Sequence, residues 1–417
     1  ARDVYKRQGH TCDGPPETFT ITVNPTALVN PVLDQVVCNT ENTALVTFTT
    51  DRTIGISSYT WSNDTPSIGL ASTGVGDVPS FTAVNTGSEP VIATITVTPH
   101  FDYDGLICDG PQMTFTITVN PTAQVNPPDD LVVCNAENTS EVVFTSNRTL
   151  GVTTYTWTND TPSIGLAASG NGNLPSFTAV NPGLGPIAAI ITVTPQFTYD
   201  GHTCNGPPET FNITVNPTAR VDDPVDQLLC HNEPSDLVTF TTTNIGGNVT
   251  YTWTNDNTSI GLAASGTGDI PSFVATNLGV VAEVATITVT PHYEYLGHTC
   301  DGPPQVFTIS VNPIPAIEED VSDTICNEDN ILFNITNHNV TIFGDWKYRL
   351  EIDYGDSIVG LLPEDSIYTE LNLPDQLINN GLYWHEAIYH FIPIISPSDG
   401  GPDCGSTNDI YVTVKVN

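Results

Sequence analysis

The sequence predicts an all-β protein built as a tandem array of immunoglobulin-like β-sandwich domains. Two observations support this fold class. A long motif returns every 96 residues, and within each repeat apolar residues alternate with threonine or other polar residues. Strict alternation is typical of strands with one buried and one solvated face, and a repeat of this length has the size of a small autonomous domain. No apolar run approaches the roughly 18 residues of a membrane-spanning helix.

Two sequence markers define the repeat and its limits. The first marker starts with GHTC, or GLIC in one copy, ends in VNPTA or VNPIP, and begins at Gly9, Gly105, Gly201 and Gly297. The second marker, YTWxND, keeps the same step around Trp61, Trp157 and Trp253. The fixed step predicts the C-terminal strand of a truncated repeat at 9–25, three repeats at 26–121, 122–217 and 218–313, and a diverged fourth repeat at 314–417.

The strands of one repeat follow from its alternating runs. In the first complete repeat, such runs occur in chain order at 46–48, 59–61, 91–98 and 114–119. In the last of these, Phe115, Ile117 and Val119 share one face and threonines share the other. Turn-forming pairs such as Asn120-Pro121 separate the runs. About seven short strands in a repeat of this length favour an immunoglobulin-like sandwich.

The fourth repeat and the chain ends depart from this regularity. Cys326 keeps the 96-residue step, whereas Trp346 comes three residues early and Cys404 eight residues late. Residues 374–378 are predicted to form one helical turn. Three of the nine basic residues lie within residues 1–8, so we expect this segment to be foreign to the protein, and we expect the chain to be a fragment of a longer one.

The charge balance excludes two classes of partner. Nine Lys and Arg stand against 47 Asp and Glu, which gives a net charge of −38. Nucleic acids and anionic lipids both require clustered basic side chains. We therefore expect no nucleic-acid partner and no direct membrane insertion.

The cysteines predict disulfides in an oxidising compartment, and zinc is disfavoured because no C-x₂₋₄-C pair occurs. Three pairings remain open. The first, which we favour because each domain then folds by itself, lies within a unit. The second joins sequence neighbours across a unit boundary and leaves Cys404 alone, and the third joins successive units, for example Cys134–Cys300. The favoured pairs are Cys38–Cys108, Cys134–Cys204, Cys230–Cys300 and Cys326–Cys404, which leaves Cys12 alone.

No sequence motif indicates catalysis or a bound cofactor. The triplet Gly74-Val75-Gly76 is followed by Pro-Ser and not by a helix, so it predicts a loop and not a nucleotide site. His385 and His390 lie on a predicted strand five residues apart and therefore point to opposite faces. We expect no catalytic, cofactor-binding or metal residues and no enzymatic activity.

Calcium is an alternative at one acidic turn. Asp102, Asp104 and Asp109 offer several oxygen ligands in one stretch of the first repeat. The next two repeats lose these acids stepwise, which favours a solvated turn.

One long string of residues resembles a known family. It comprises the run from Asp130 to Asn135 followed by YTWTNDTPSIGLAASG, LPSFTAVN, AIITVTP and ETFTITVNPTA. This string is similar to the PKD-like, immunoglobulin-fold repeats of Bacteroidota surface proteins, well over 9–313 and weakly beyond. The W-D-F-G-D-G motif of PKD domains is missing, so the resemblance is one of fold class. It implies secretion, cell-surface display and a spacer role in large adhesins or gliding-type proteins.

The leading functional hypothesis is therefore a non-catalytic extracellular stalk whose ligand is bound by other domains. One alternative is a glycan- or protein-binding module, which requires exposed aromatic side chains. Burial of all four candidate tryptophans would argue against it; these are Trp61, Trp157, Trp253 and Trp384. Another alternative is a spacer attached to a secreted hydrolase.

Overall fold

The computed structural model describes residues 15–319 and 324–417 and shows immunoglobulin-like β-sandwiches arranged in series. The predicted all-β tandem fold class is confirmed. Strands supply almost all of the regular structure in the described residues, together with three single-turn 3₁₀ helices. The predicted foreign segment 1–8 and the unassigned Cys12 lie outside the described residues.

The first unit is built on one six-stranded sheet. The strand order is β1-β6-β4-β2-β3, with β5 paired to β4, and β1 runs parallel to β6. Because β1 and β6 run parallel and end side by side, both strands end at the same end of the sandwich. The elements are β1 (Gln35–Cys38), β2 (Ile56–Asn63), a 3₁₀ helix (Pro66–Ile68), β3 (Thr73–Val75), β4 (Val91–Tyr103), β5 (Leu106–Asp109) and β6 (Met113–Asn120).

The second and third units repeat this topology strand for strand. The second unit has β7 (Leu131–Cys134), β8 (Val152–Asn159), a 3₁₀ helix (Pro162–Ile164), β9 (Ser169–Asn171), β10 (Ile187–Tyr199), β11 (His202–Asn205) and β12 (Glu209–Asn216). The third has β13 (Gln227–Cys230), β14 (Asn248–Asn255), a 3₁₀ helix (Thr258–Ile260), β15 (Ser265–Thr267), β16 (Glu283–Tyr295), β17 (His298–Asp301) and β18 (Gln305–Asn312).

The opposite layer of each of these units is made of extended segments joined by isolated bridges. In the first unit, Val46 pairs with Val78. The core lies between this layer and the six-stranded sheet, where Phe48, Ile95 and Phe115 are buried. Alternation along β4 is nearly perfect, because every second side chain faces this core.

The fourth unit is a sandwich with more complete sheets. Its five-stranded sheet has the order β20-β28-β27-β22-β24, which reproduces β1-β6-β4-β2-β3 of the first unit, and the parallel pair β20–β28 replaces β1–β6. Its strands are β19 (Ile317–Glu319), β20 (Thr324–Ile325), β21 (Asn330–Asn337), β22 (Gly344–Asp353), β23 (Ile358–Val359), β24 (Asp365–Tyr368), β25 (Asn372–Gln376), β26 (Ile378–Asn379), β27 (His385–Pro397) and β28 (Ile410–Val416).

The predicted helical turn at 374–378 is wrong. This stretch lies in β25 and β26, and Leu373 pairs with Phe333 of β21. Leu373 and Asp375 both face inward, so burial follows a period of two. Pro374 is accommodated because β25 is an edge strand of its three-stranded sheet.

The repeated Gly-x-Gly triplets have a packing role. A Cβ on Gly74 would lie 2.0 Å from the indole ring of Trp61, so only glycine allows β3 to lie against that ring. Gly76 has a φ of +71°, a conformation that glycine adopts without strain. The same arrangement recurs at Gly170 and Gly266 in the next two units. These triplets are therefore structural turns.

Candidate functional site: the junctions between units

The most elaborate constellation of side chains lies where one unit meets the next, and three disulfides mark it. Each bond joins the end of the first strand of one unit to the hairpin of the following unit. The bonds are Cys38–Cys204, Cys134–Cys300 and Cys230–Cys404.

The favoured pairing within a unit is wrong, and so is the pairing of sequence neighbours across a boundary. Cys38 lies at the C-terminal end of its sandwich, because β1 runs parallel to the last strand, β6. Cys108 lies in the β4–β5 hairpin at the opposite end. The two cysteines of one unit therefore cannot meet, and the open alternative of bonds between successive units is the one observed. Within the described residues, Cys108 and Cys326 are unpaired.

A tight hairpin presents the receiving cysteine in the second and third units. In the second unit, Asp200 and Gly201 have φ values of +48° and +72°, as in a type I′ turn. Asp tolerates this left-handed conformation better than most residues, and glycine adopts it freely. The sequence signal for this hairpin is the Asp-Gly pair between two alternating runs.

A buried asparagine locks the hairpin to the preceding unit. The Asn120 side chain is fully buried, and its Nδ2 donates to the carbonyls of Tyr199 at 3.0 Å and His202 at 3.3 Å. Asn216 makes the equivalent contacts one unit later. Such carbonyls at a turn would otherwise be buried unpaired at a cost of about 1–3 kcal/mol each. Sequence reasoning assigned this Asn-Pro to a simple turn and missed its role.

A loop contact forms a further point of attachment at the first junction. The Glu89 carboxylate accepts from the backbone N–H groups of Thr149 at 3.1 Å and Leu150 at 2.9 Å, and from the Thr149 hydroxyl. These hydrogen bonds, the Thr149 hydroxyl first, hold the pKa of Glu89 below its ordinary value. Arg148 of the second unit donates back to the Gly87 carbonyl at 3.0 Å.

The other two junctions have backbone hydrogen bonds in place of the contact made by the Glu89 carboxylate. The N–H of Ile245 donates to the Leu184 carbonyl at 2.9 Å between the second and third units. The N–H of Ala282 donates to the Thr341 carbonyl at 2.7 Å between the third and fourth. The same loop thus contacts the next unit at every junction, whatever its sequence.

Polar side chains surround the first two disulfides. Glu41 accepts from the N–H of Cys38 at 2.8 Å and lies 3.1 Å from Nε2 of His202 in the next unit. The backbone hydrogen bond from Cys38, followed by His202, lowers the pKa of Glu41. At the third junction the Pro402 carbonyl lies beside the Cys230 sulfur, where the Thr203 carbonyl lies beside the Cys38 sulfur at the first.

Two groups of potential soft-metal ligands coincide with these disulfides. Cys38, His202 and Cys204 place their ligand atoms within 4.8 Å of one another, as do Cys134, His298 and Cys300. In each group both sulfurs are joined in the disulfide, so neither is a thiolate. These are the groups of three or more that the described part of the chain brings together.

The residues considered for calcium do not form such a group within the described residues. Asp109 instead lies 2.6 Å from Nδ1 of His100 on the neighbouring strand. Asp104 occupies the left-handed position of the β4–β5 hairpin, with a φ of +53°.

His385 and His390 of the fourth unit lie on β27, as predicted, and have different neighbours. His390 lies between Glu351 and Asp409, each at 3.2 Å. His385 lies beside Gly381, where a Cβ would come within 2.5 Å of the imidazole.

Three of the four candidate tryptophans are buried core residues. Trp61, Trp157 and Trp253 are at most 6% exposed. Trp384 is 55% exposed and carries the Lys415 ammonium 3.8 Å from its ring centroid. Among these four tryptophans, Trp384 at the C-terminal end of the fourth unit is the one whose ring is exposed to a ligand.

Comparisons with known proteins add the following findings. No protein-family model matches the chain, and no curated protein matches it. Solved structures with a similar series of domains include Drosophila N-cadherin EC1-4, at 12% identity over 92% of this chain and 98% of that one, with a TM-score of 0.27. The human desmocollin-1 ectodomain is 12% identical over 94% and 79%, with a TM-score of 0.28. Immunoglobulin domains 1–4 of Sidekick-1 are 12% identical over 93% and 97%, with a TM-score of 0.24. Likenesses this distant carry no inference about binding or activity.

Proposed function

We propose that the chain is a non-catalytic, extracellular structural stalk that spaces other domains of a repeat-containing surface adhesin. The observation that carries this proposal is the construction of the junctions. Each is fastened by a disulfide to the next unit and by a second contact from the loop that precedes the long central strand. Such attachment suits a spacer, since a stalk must keep its units aligned.

Two attachment sites oppose bending at the first junction. The disulfide and Asn120 lie side by side and hold the hairpin of the second unit, whereas Glu89 holds the segment at Thr149 and Leu150, so a hinge at one site strains the other. Linker residues alone would leave the orientation free. Pro121 adds a fixed φ to the connection.

The chemistry of the surface supports an extracellular place for such a stalk. Disulfides persist in oxidising compartments, and a net charge of −38 disfavours self-association and nucleic-acid binding. No helix among the described residues is long and apolar enough to span a membrane. We assign ligand binding and anchoring to domains other than these repeats, as in the PKD-like repeats of Bacteroidota surface proteins.

Small-angle X-ray scattering tests the stalk. A compact protein of this length has a radius of gyration of about 22 Å, and a stalk is expected to exceed twice that value. Removing one bridge with the pair Cys38→Ser and Cys204→Ser should broaden the distance distribution. The matched control pair, Cys108→Ser and Cys326→Ser, should leave it unchanged because both residues are unpaired in the described structure. A radius close to the compact value for the oxidised chain would refute the proposal.

A second function, protein binding, is favoured by one surface. Leu382, Tyr383 and Trp384 form a loop whose side chains are 95%, 79% and 55% exposed. Exposed contiguous aromatic and aliphatic groups mark interaction sites.

A further inference from the structure

Two of the three bridged junctions place a histidine beside their two sulfurs. The groups are Cys38, His202 and Cys204 at the first junction, and Cys134, His298 and Cys300 at the second. In each group one imidazole nitrogen and the two sulfur atoms lie within 4.8 Å of one another. Thiolate and imidazole are the ligands that zinc takes most often in proteins, so these groups hold three zinc ligands once the sulfurs are released from each other.

Strand geometry brings each histidine to the same side as its cysteine. His202 and Cys204 lie two residues apart on β11, which pairs with β10 in the second unit. Alternate side chains of a strand share a face, so both lie toward the end of β1, where Cys38 is bonded to Cys204. His298 and Cys300 occupy the same positions on β17. Each group is drawn from two units, which is why no short spacing of cysteines records it in the sequence.

A carboxylate completes a set of four donors at each of these two junctions. Glu41 lies 3.1 Å from Nε2 of His202. Glu137 lies 3.4 Å from Nε2 of His298. Two atoms that bind one tetrahedral zinc ion at about 2.0–2.1 Å are roughly 3.3 Å apart. Carboxylate and imidazole therefore have the separation of two ligands of a common ion, and the N–H of the neighbouring cysteine holds each carboxylate there at 2.8 Å.

The bonded cysteines have a backbone separation that suits a shared ion. Their Cα atoms are 5.6 Å apart in Cys38–Cys204 and 5.5 Å apart in Cys134–Cys300. Zinc binds sulfur at about 2.3 Å, so a tetrahedral site holds two thiolates roughly 3.8 Å apart. Rotation of the two side chains about their Cα–Cβ bonds reaches that separation without a shift of the backbone.

The third junction has no such group within the described residues. Cys230 and Cys404 are 8% and 2% exposed and pack in an apolar cluster with Ile395. Glu233 accepts from the Cys230 N–H at 2.7 Å, but His231 is engaged elsewhere, since its Nδ1 accepts a backbone hydrogen bond. The chain thus contains its own comparison, with two sulfur pairs beside a histidine and one pair without.

We propose that reduction of the first two bridges turns each into a zinc site of two thiolates, one imidazole and one carboxylate, and that the third junction gains none. In the oxidised chain the sulfurs are bonded to each other, so the site exists only after reduction. A zinc ion bound there joins the same two units that the disulfide joins. The first three units then stay connected under reducing conditions, whereas the fourth loses its covalent link. This behaviour of the reduced chain is independent of the stalk function proposed for the oxidised one.

Reduction and metal binding at one bridge are two separate steps. A dithiol such as dithiothreitol supplies the two electrons and two protons that turn one disulfide into two thiols, and is itself oxidised to a cyclic disulfide. Each thiol loses its proton when its sulfur binds zinc, so one bound ion releases two protons. Cys38 and Cys134 are only half-buried, which gives the reductant access to both bridges.

The test uses the full chain with Cys12→Ser, Cys108→Ser and Cys326→Ser, so that the six bridge cysteines are the source of sulfur. The chain is reduced with dithiothreitol, freed of reductant under nitrogen, loaded with zinc sulfate and desalted, and its zinc content is measured by elemental analysis. Two ions per reduced chain and none per oxidised chain are expected. Any other number for the reduced chain would overturn the proposal.

Histidine variants identify the ligands. His202→Ala should reduce the content to one ion, and His202→Ala with His298→Ala should reduce it to none. His100→Ala removes a histidine that lies beside Asp109, outside both groups, and should leave two ions. Recovery of the three disulfides on reoxidation checks that each variant still folds. Two ions retained in the double variant would overturn the proposal.

Cobalt(II), loaded in place of zinc, distinguishes this set of ligands from binding to the acidic surface. It should give the visible bands of tetrahedral coordination together with thiolate-to-cobalt absorption in the near ultraviolet. In the His298→Ala chain, which keeps the first site alone, Glu41→Gln should weaken zinc binding at least tenfold and leave the thiolate absorption of the cobalt form in place. Octahedral bands without sulfur absorption, or an unchanged affinity in Glu41→Gln, would overturn the four-ligand site.

Discussion

Single residues decide the shape of the receiving hairpin, and one of them is poorly suited to its position. The residue before the turn glycine is left-handed in each of the first three units, with φ of +53° at Asp104, +48° at Asp200 and +51° at Leu296. Asp adopts this region with local hydrogen bonding, whereas Leu is disfavoured there because its Cβ approaches the carbonyl. The third unit thus carries strain that its two predecessors lack.

Leu296→Asn should therefore stabilise the third unit by about 1 kcal/mol. The Leu296 side chain is exposed, so the substitution gives up no core packing. The matched reverse variant, Asp200→Leu, should destabilise the second unit by a similar amount. Urea unfolding followed by fluorescence measures both. Changes of the same sign in the two variants would contradict the explanation.

The cysteines show how much of the disulfide connectivity can be predicted from residue types alone. Their regular spacing predicts disulfides, and the turns at Gly105, Gly201 and Gly297 place one cysteine of each of the first three units in a hairpin. The position of the other depends on the parallel pairing of β1 with β6, which sets Gln35 beside Ile117 from the far end of the unit's sequence. No local pattern reports such a pairing, so the sequence leaves the partner open.

Among the elements, the loop before each long strand contacts the next unit. At the first junction, the titration of Glu89 provides a test of this contact. The folded-state pKa of Glu89 is depressed, chiefly by the Thr149 hydroxyl. Its contribution is therefore complete above the ordinary glutamate pKa of about 4.3 and is lost as the pH falls through the lower folded value. The amides of Thr149 and Leu150 lose their acceptor over the same range.

Hydrogen exchange at those two amides gives the measurement. Protection, corrected for the intrinsic rate at each pH, should be high at pH 7 and fall in the acidic range. Glu89→Gln should weaken protection at neutral pH and abolish its acid dependence. Glu364→Gln removes the same charge in the fourth unit and should change neither amide. Persistent protection in Glu89→Gln would assign these amides to another acceptor.

Strands were predictable wherever one face is buried, because alternation records burial directly. The threonine-rich runs gave β4 and β6 in their correct places. Residues 374–378 were misassigned because Pro and Asp suggest a turn. Asp375 is nevertheless buried, since it accepts from the hydroxyls of Tyr354 and Tyr389, both at 2.7 Å. A buried carboxylate with distant partners leaves no local signature.

For the whole molecule, the choice of cysteines that are paired matters more than the number of disulfides. The repeat length and the tandem order could be read from the sequence, because each unit reuses the same strand pattern. The connection between units could not, because it is made by contacts between residues as much as 174 positions apart. The junction asparagines illustrate this, since Asn120 has the sequence context of an ordinary turn.

The staggered bridges also create a covalent shortcut through the array. From Cys38 the bonded path crosses to Cys204, follows the backbone to Cys230, and crosses to Cys404. At full extension the backbone from Cys204 to Cys230 spans about 90 Å, whereas that from Cys38 to Cys404 would span about 1,300 Å if unbridged. Parts of the shortcut lie in β12 and β13, which are already extended.

Tension applied to the two ends is therefore carried by a nearly taut backbone strand and two sulfur bridges. Even with every unit unfolded, the distance from Cys38 to Cys404 cannot exceed about 90 Å by more than the length of the bridges. Single-molecule stretching of the oxidised chain should show no unfolding steps from this region, and a reducing agent should release the hidden contour length unit by unit. Long steps under oxidising conditions would contradict the connectivity. Because this covalent path carries the load, the sandwiches can unfold and refold while the distance between Cys38 and Cys404 stays nearly the same.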